Sequence, residues 1–198
     1  MSDLRGKIFA ALTGGQADVS GKAGGDVRGM LLAVGGPSSK TKSGIDLSKA
    51  AKSLGVSRRT VERWVKTAQT GTGQRPSAKH AVDLAKKARQ AATTKAGRKA
   101  ALGGSTLRQA VTTRGARVSI TALQGPHAAG RDYMRPRTTQ LDLDPADAEA
   151  MLTAWENGGE KGFMTWATGQ WGREYLDDWK FGDVDAIQVE RPYGGGWR

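Results

Sequence analysis

Hydrophobic positions recur with one period up to about residue 104 and with another beyond it. In the first part the clearest pattern is "LSKAAKSLGVSRRTVERWVK". There Ile45, Leu47, Ala50, Ala51 and Leu54 recur at helical spacing, Gly55 interrupts, and Val56, Val61, Trp64 and Val65 resume the period after Ser57, a favoured N-cap residue. The spacing predicts helix, turn, helix: the small Ala51 lets the two helices cross closely, Gly55 permits a tight turn, and Val61 fills the gap. Burial of Val56, Val61 and Trp64 turns Ser57, Arg58, Arg59, Glu62, Arg63 and Lys66 outward, with Thr60 in the same first turn. Upstream, Val27, Met30, Leu31 and Val34 predict a helix over Asp26 to Val34, and "GGPSSKTKSG" reads as a loop. Downstream, Ser77 to Ala92 is helical with a thin, mostly alanine apolar face, resuming near Lys95 to Leu102.

Past Gly103-Gly104 the period shortens. Val118, Ile120 and Ala122 alternate with Arg117, Ser119 and Thr121 in "ARVSITAL", and "RTTQLDLD" repeats the alternation, so two strands are expected. Asp144-Pro145 starts a helix with stripe Ala148, Met151, Leu152 and Trp155, ended by Asn157-Gly158. A second helix runs from about Glu160 to Trp179, and "DAIQVER" is a last strand. The expected class is α+β: an all-α helix-turn-helix domain, then a small α+β domain of hairpin, two helices and strand, with the helices on one sheet face. The expected organisation is a flexible segment over 1–25, the helix-turn-helix domain over 26–75, a basic helix or linker over 76–104, the α+β domain over 105–191 and a flexible tail over 192–198.

Charge adds a polarity that hydropathy does not show. Residues 1 to 138 hold 26 Lys and Arg against 7 Asp and Glu, whereas residues 139 to 198 hold 5 against 12. A polyanion is the natural partner of the basic part, because each neutralised phosphate releases condensed counterions. Lys79, Lys86, Lys87, Arg89, Lys95, Arg98 and Lys99 crowd the alanine-rich helices, which either follow a phosphate backbone or form a solvated connector. At the helical pair, arginine can make a bidentate contact to guanine, and Glu62 can accept from cytosine or orient an arginine. The plainer alternative is a helical hairpin with a solvated basic face. The acidic, tryptophan-rich end suits a protein surface, including a homodimer contact.

With no cysteine and only His80 and His127, the chain has no disulfide, thiolate zinc site or thiol nucleophile, and no metal or cofactor site is expected. Neither a signal segment nor a run of about 18 apolar residues is seen, so a cytoplasmic, nucleoid location without membrane is expected. Phosphate-loop, zinc-protease, nucleophile-elbow and dinucleotide motifs are missing, and no enzyme is expected. Asp142, Asp144, Asp177, Asp178, Asp183 and Asp185 leave a metal-dependent nuclease as a third reading, although scattered acids are more often caps and solvated faces.

The chain resembles the telomere terminal proteins of bacterial linear chromosomes and linear plasmids. The resemblance rests on "LGVSRRTVERWVK", on "RPSAKHAVDLAKKARQAATTKAG", and on the order strand, "LDLDPADAEAMLTAWENGG", acidic-aromatic helix and strand, over roughly residues 26 to 190. It implies a DNA-binding protein that caps the ends of a linear replicon, acting on duplex and single-stranded telomere ends. A side-chain hydroxyl would receive the first nucleotide from a separate DNA polymerase, beside a telomere-associated protein. The family's priming residue is a threonine in the loop after the strand that Val118 to Leu123 resembles. The matching place here falls on Gln124 to His127, where no hydroxyl stands, which leaves Thr121, Tyr133, Thr138 and Thr139 as candidates. A non-covalent helix-turn-helix protein of plasmid replication, partition or transcription is the alternative.

Overall fold

Five of the described helices begin where a side-chain acceptor reaches a first-turn amide. Asp26, Asp46, Ser57, Ser77 and Asp144 each do so. A computed structural model describes residues 4–103 and 105–190 and divides the chain into two units, Met1–Ser105 and Thr106–Arg198. The chain is α+β: among the described residues, eight helices precede or accompany one four-stranded antiparallel sheet. None of these helices is long and apolar enough to cross a membrane. The expected tail over 192–198, with Trp197, lies outside the described residues.

The first unit is all helical: α1 (Leu4–Thr13), α2 (Val27–Gly35), α3 (Leu47–Leu54), α4 (Arg58–Thr70), α5 (Ala78–Thr93) and α6 (Lys95–Gly103). Residues 4–25 are not the flexible segment expected. Ile8, Phe9 and Leu12 of α1 and Val19 beyond it are buried, because the glycine pairs bound a helix short enough to dock rather than prevent one. The link to α2 is organised by Asp18, whose carboxylate accepts from the Ser20 and Asp26 amides at 2.9 Å each. Burial alone would raise the Asp18 pKa, but bonds from Ser20 and Asp26 and the nearby Lys22 charge hold it below the ordinary value.

The alanine-rich region forms the two expected helices, α5 and α6, and packs into the unit rather than serving as a linker. α5 packs on α2 and α6 and buries Leu84, Ala85, Ala88 and Ala92, small side chains that suit a close crossing. Arg98, expected among the outward cations, is buried and donates to the Ala92 carbonyl at 3.2 Å.

The second unit opens with a helix the polarity pattern did not signal, α7 (Thr106–Arg114). It packs on α8 (Pro145–Glu174) through buried Val111 and through Arg108, which pairs with Glu149 at 3.0 Å and Glu156 at 3.4 Å. α8 is two arms rather than one rod. Asp147 and Gln170 would stand about 35 Å apart along a straight helix at about 1.5 Å per residue, yet their side chains hydrogen-bond at 3.1 Å. The chain reverses at Gly159, with φ 61° and ψ −139°, a conformation reserved for glycine. Two helical segments were expected, with the break placed at Asn157-Gly158.

β1 (Ala116–Ala128) is the central strand, flanked by β3 (Arg135–Leu143) and β4 (Trp179–Glu190), while the short β2 (Arg131–Asp132) closes a hairpin with its end. Val118, Ile120, Ala122 and Gln124 of β1 face the buried side with Thr139, Leu141 and Leu143 of β3, and α8 packs on this sheet. The second arm of α8 stops at Glu174, short of the expected Trp179, which instead begins β4. β4 also starts earlier than "DAIQVER". Register shifts around Asp185 bring Val184 and Ile187, an odd number of positions apart, to bury together, and so break the two-residue alternation.

Candidate nucleic-acid interface

The α3–α4 corner follows from three local bonds. Gly55 takes a left-handed conformation (φ 66°, ψ 30°), the Val56 amide donates back to the Ala51 carbonyl at 3.1 Å, and Ser57 Oγ accepts from the Thr60 amide at 3.1 Å. Val61, Trp64 and Val65 are buried, whereas Val56, expected with them, is only half-buried at the turn. Ser57, Arg58, Arg59, Glu62, Arg63 and Lys66 are exposed and Thr60 is half-buried. The expected outward face of α4 is therefore present.

That face is divided in two. Arg58, Glu62 and Lys66, four residues apart, form one stripe, and Arg58 Nε is paired with Glu62 Oε1 at 2.9 Å. Arg59 and Arg63 lie about 100° around the helix from it. Arg63 donates to the Gln74 side chain at 3.3 Å, and the Thr67 hydroxyl bonds both the Arg63 and Gln74 carbonyls, so the loop after α4 braces it. Among the described residues the side chains of Arg59 and Lys66 have no partner.

α5 meets α4 on the latter's buried side, where the His80 and Trp64 rings lie 5.5 Å apart. Lys86 is exposed. Lys87 turns instead into a groove of about 540 Å³ with Phe9, Leu32 and Lys49, a groove that α4 does not line. Lysines in the loop before α3 do approach α4. Lys40 and Lys42 line a concavity of about 410 Å³ with Arg58, Glu62 and Lys66. The sequence signal was two cations in "SSKTKSG", but periodicity says nothing about where a loop lies.

The candidate hydroxyls are in different situations. Thr139 is excluded as an acceptor: it is buried, donates to Gln124 Oε1 at 2.7 Å and accepts from Trp171 Nε1 at 2.6 Å. Gln124, fully buried, completes that network by donating to the Ile120 and Arg137 carbonyls at 2.8 and 2.9 Å. Thr121 and Thr138 share a hydroxyl bond of 2.8 Å across β1 and β3. Tyr133 is 45% exposed beside the hairpin, between Arg131 and Arg135, whose guanidinium groups have no partner among the described residues. Arg137 is already engaged: it donates to the Tyr133 carbonyl at 3.3 Å and lies 5.5 Å from the centre of the Trp179 ring.

At the same tip Asp132 receives Lys180 Nζ at 2.8 Å and His127 Nδ1 at 2.5 Å, and these two bonds hold its pKa below the ordinary value. Two of the acids considered for a metal are engaged elsewhere: Arg117 chelates Asp142 at 2.7 and 2.8 Å and lowers its pKa, while Asp144 caps α8. Among the described residues no three potential metal ligands come together. No family model, no curated protein and no solved structure matches this chain.

Proposed function

We propose that this chain is a duplex DNA-binding protein of helix-turn-helix type that presents α4 to the major groove. The supporting observation is the two-sided build of α4. Val61, Trp64 and Val65 fix it to the core, while Arg59, Arg63 and Lys66 project from the other side. An α-helix about 10–12 Å across fits a groove about 12 Å wide, and arginines on its exposed side reach base edges. Alanine at Arg58, Arg59 or Arg63 is expected to weaken binding by more than the ~1 kcal/mol of one screened phosphate contact. Unchanged affinity for duplex DNA in all three variants overturns the reading.

Within this reading the chain is a terminal protein of a linear replicon, carrying the first nucleotide of end replication. The resemblance motivates it, and the exposure of Tyr133 between two arginines that have no partner among the described residues favours one hydroxyl over the others. Tyr133 Oη would attack the α-phosphorus of a deoxynucleoside triphosphate, forming a phosphodiester bond and releasing pyrophosphate, with the phenol proton passing to solvent. A separate polymerase supplies the metal ions. The test is to band cellular DNA on a denaturing density gradient with and without protease, probing the DNA fractions for the protein. Protein retained until protease or nuclease treatment supports the cap, and peptide mass spectrometry identifies the residue. Protein lost entirely from the DNA leaves a reversible helix-turn-helix binder.

A further inference from the structure

The loop before α3 is built too firmly to be a mere connection. A bridge between Pro37 and Ile45 closes it, the Ser38 amide donates to the Gly44 carbonyl at 2.9 Å, and the Gly44 amide donates to the Thr41 carbonyl at 3.0 Å. The Thr41 hydroxyl donates to the Ile45 carbonyl at 2.8 Å, and Arg28 of α2 donates to the Ser43 carbonyl at 3.1 Å, pinning the loop to the core. At the exposed end of this frame stand Lys40 and Lys42, whose ammonium groups have no partner among the described residues.

They face the Arg58, Glu62 and Lys66 stripe of α4 across the 410 Å³ concavity. Its lining thus carries four cations and one carboxylate, and that carboxylate is already paired with Arg58. Such a site selects an anion. Its position selects the kind: a helix lying in the major groove has the sugar-phosphate strands along its flanks, and this concavity flanks the stripe of Arg59 and Arg63.

We infer that Lys40 and Lys42, with Lys66, form a phosphodiester clamp that holds one strand of the duplex beside α4. The inference rests on the reading of α4 as the DNA-contacting helix. The lysines contribute affinity and register without sequence preference, since they meet phosphate oxygens rather than base edges. The internally bonded loop fixes the backbone that carries both lysines before DNA arrives, which limits the backbone ordering entropy of binding.

The test is fluorescence anisotropy with the full chain on several duplexes of different sequence, from 50 to 300 mM KCl, comparing wild type with K40A/K42A, K40R/K42R and R59A. Removing one lysine–phosphate pairing lowers the slope of log K against log salt by about 0.9. K40A/K42A should therefore reduce the slope by about 0.9 to 1.8 and weaken binding by the same factor on every duplex. K40R/K42R should keep the wild-type slope, and R59A should change the ranking of duplexes. Thermal melting of the variants should match wild type, since both lysines are exposed. An unchanged slope in K40A/K42A, with R59A still impaired, removes the clamp and leaves the α4 reading standing. No duplex binding by the wild-type chain removes both.

Discussion

Thr139→Val separates a structural hydroxyl from a reactive one. The substitution keeps the volume and replaces only the hydroxyl that accepts from Trp171 Nε1 and donates to Gln124 Oε1. No cavity forms, so the cost is that of polar groups left alone in the core. Gln124 Oε1 keeps a longer bond from Trp179 Nε1 at 3.4 Å, but nothing replaces the acceptor for Trp171, which is fully buried. Orphaning one buried donor costs about 1–3 kcal/mol. For a unit of this size that is at least about 4 °C in Tm. Thr138→Val is the control: its hydroxyl is exposed and bonds only Thr121, so about 0.5 kcal/mol or less is expected. Tryptophan fluorescence is a suitable readout, because Trp155, Trp166, Trp171 and Trp179 all belong to the second unit. If Thr139→Val melts no lower than Thr138→Val, the buried network is not what holds the sheet to α8.

Two further perturbations address the frame of each unit. Gly159→Ala should lower the stability of the second unit, read by urea unfolding, by about 1–3 kcal/mol, because alanine must strain to reach φ 61°, ψ −139°; Gly158→Ala, with open space where its Cβ would go, should be neutral or stabilising, and equal effects at the two sites refute the reversal. Asp18 has a folded pKa below the ordinary 3.8, so its contribution is fully present above that value and lost as pH falls through the lower folded one. Denaturation of the first unit between pH 2 and 6 should therefore show a shallower acid limb in Asp18→Asn than in wild type, and parallel limbs would contradict the assignment.

What the sequence reveals depends on how local the cause is. The α3–α4 corner was readable because each determinant acts within one turn: Gly55 ends a helix, Ser57 caps the next, and Val61 and Trp64 share a face. The same holds for Asp144-Pro145 at the start of α8. Where tertiary packing decides, the pattern was silent or misleading. Thr139 and Gln124 look like any polar strand residues until Trp171 is brought over them from 32 positions away. α7 shows only Leu107, Ala110 and Val111 as an apolar face, and Arg108 gains its role from two glutamates on α8. The alanines of α5 read as a weak face, yet small side chains are what let α2 approach. For the interface, residue type and helical phase identified the α4 cations, whereas the loop lysines needed the path of the chain.

The pairing of the sheet carries a consequence for how the chain is made. β1 finds β3 through a short hairpin, but its other edge pairs Arg117 with Glu190 and Val118 with Val189, partners more than seventy positions on. During synthesis β1 therefore leaves the ribosome long before β4 exists to cover it. Over that interval its free edge of amides and carbonyls is open to any other extended chain. Ribosomes following one another on the same message would bring such edges together, so synthesis stalled before residue 179 should yield aggregates rather than a smaller folded unit.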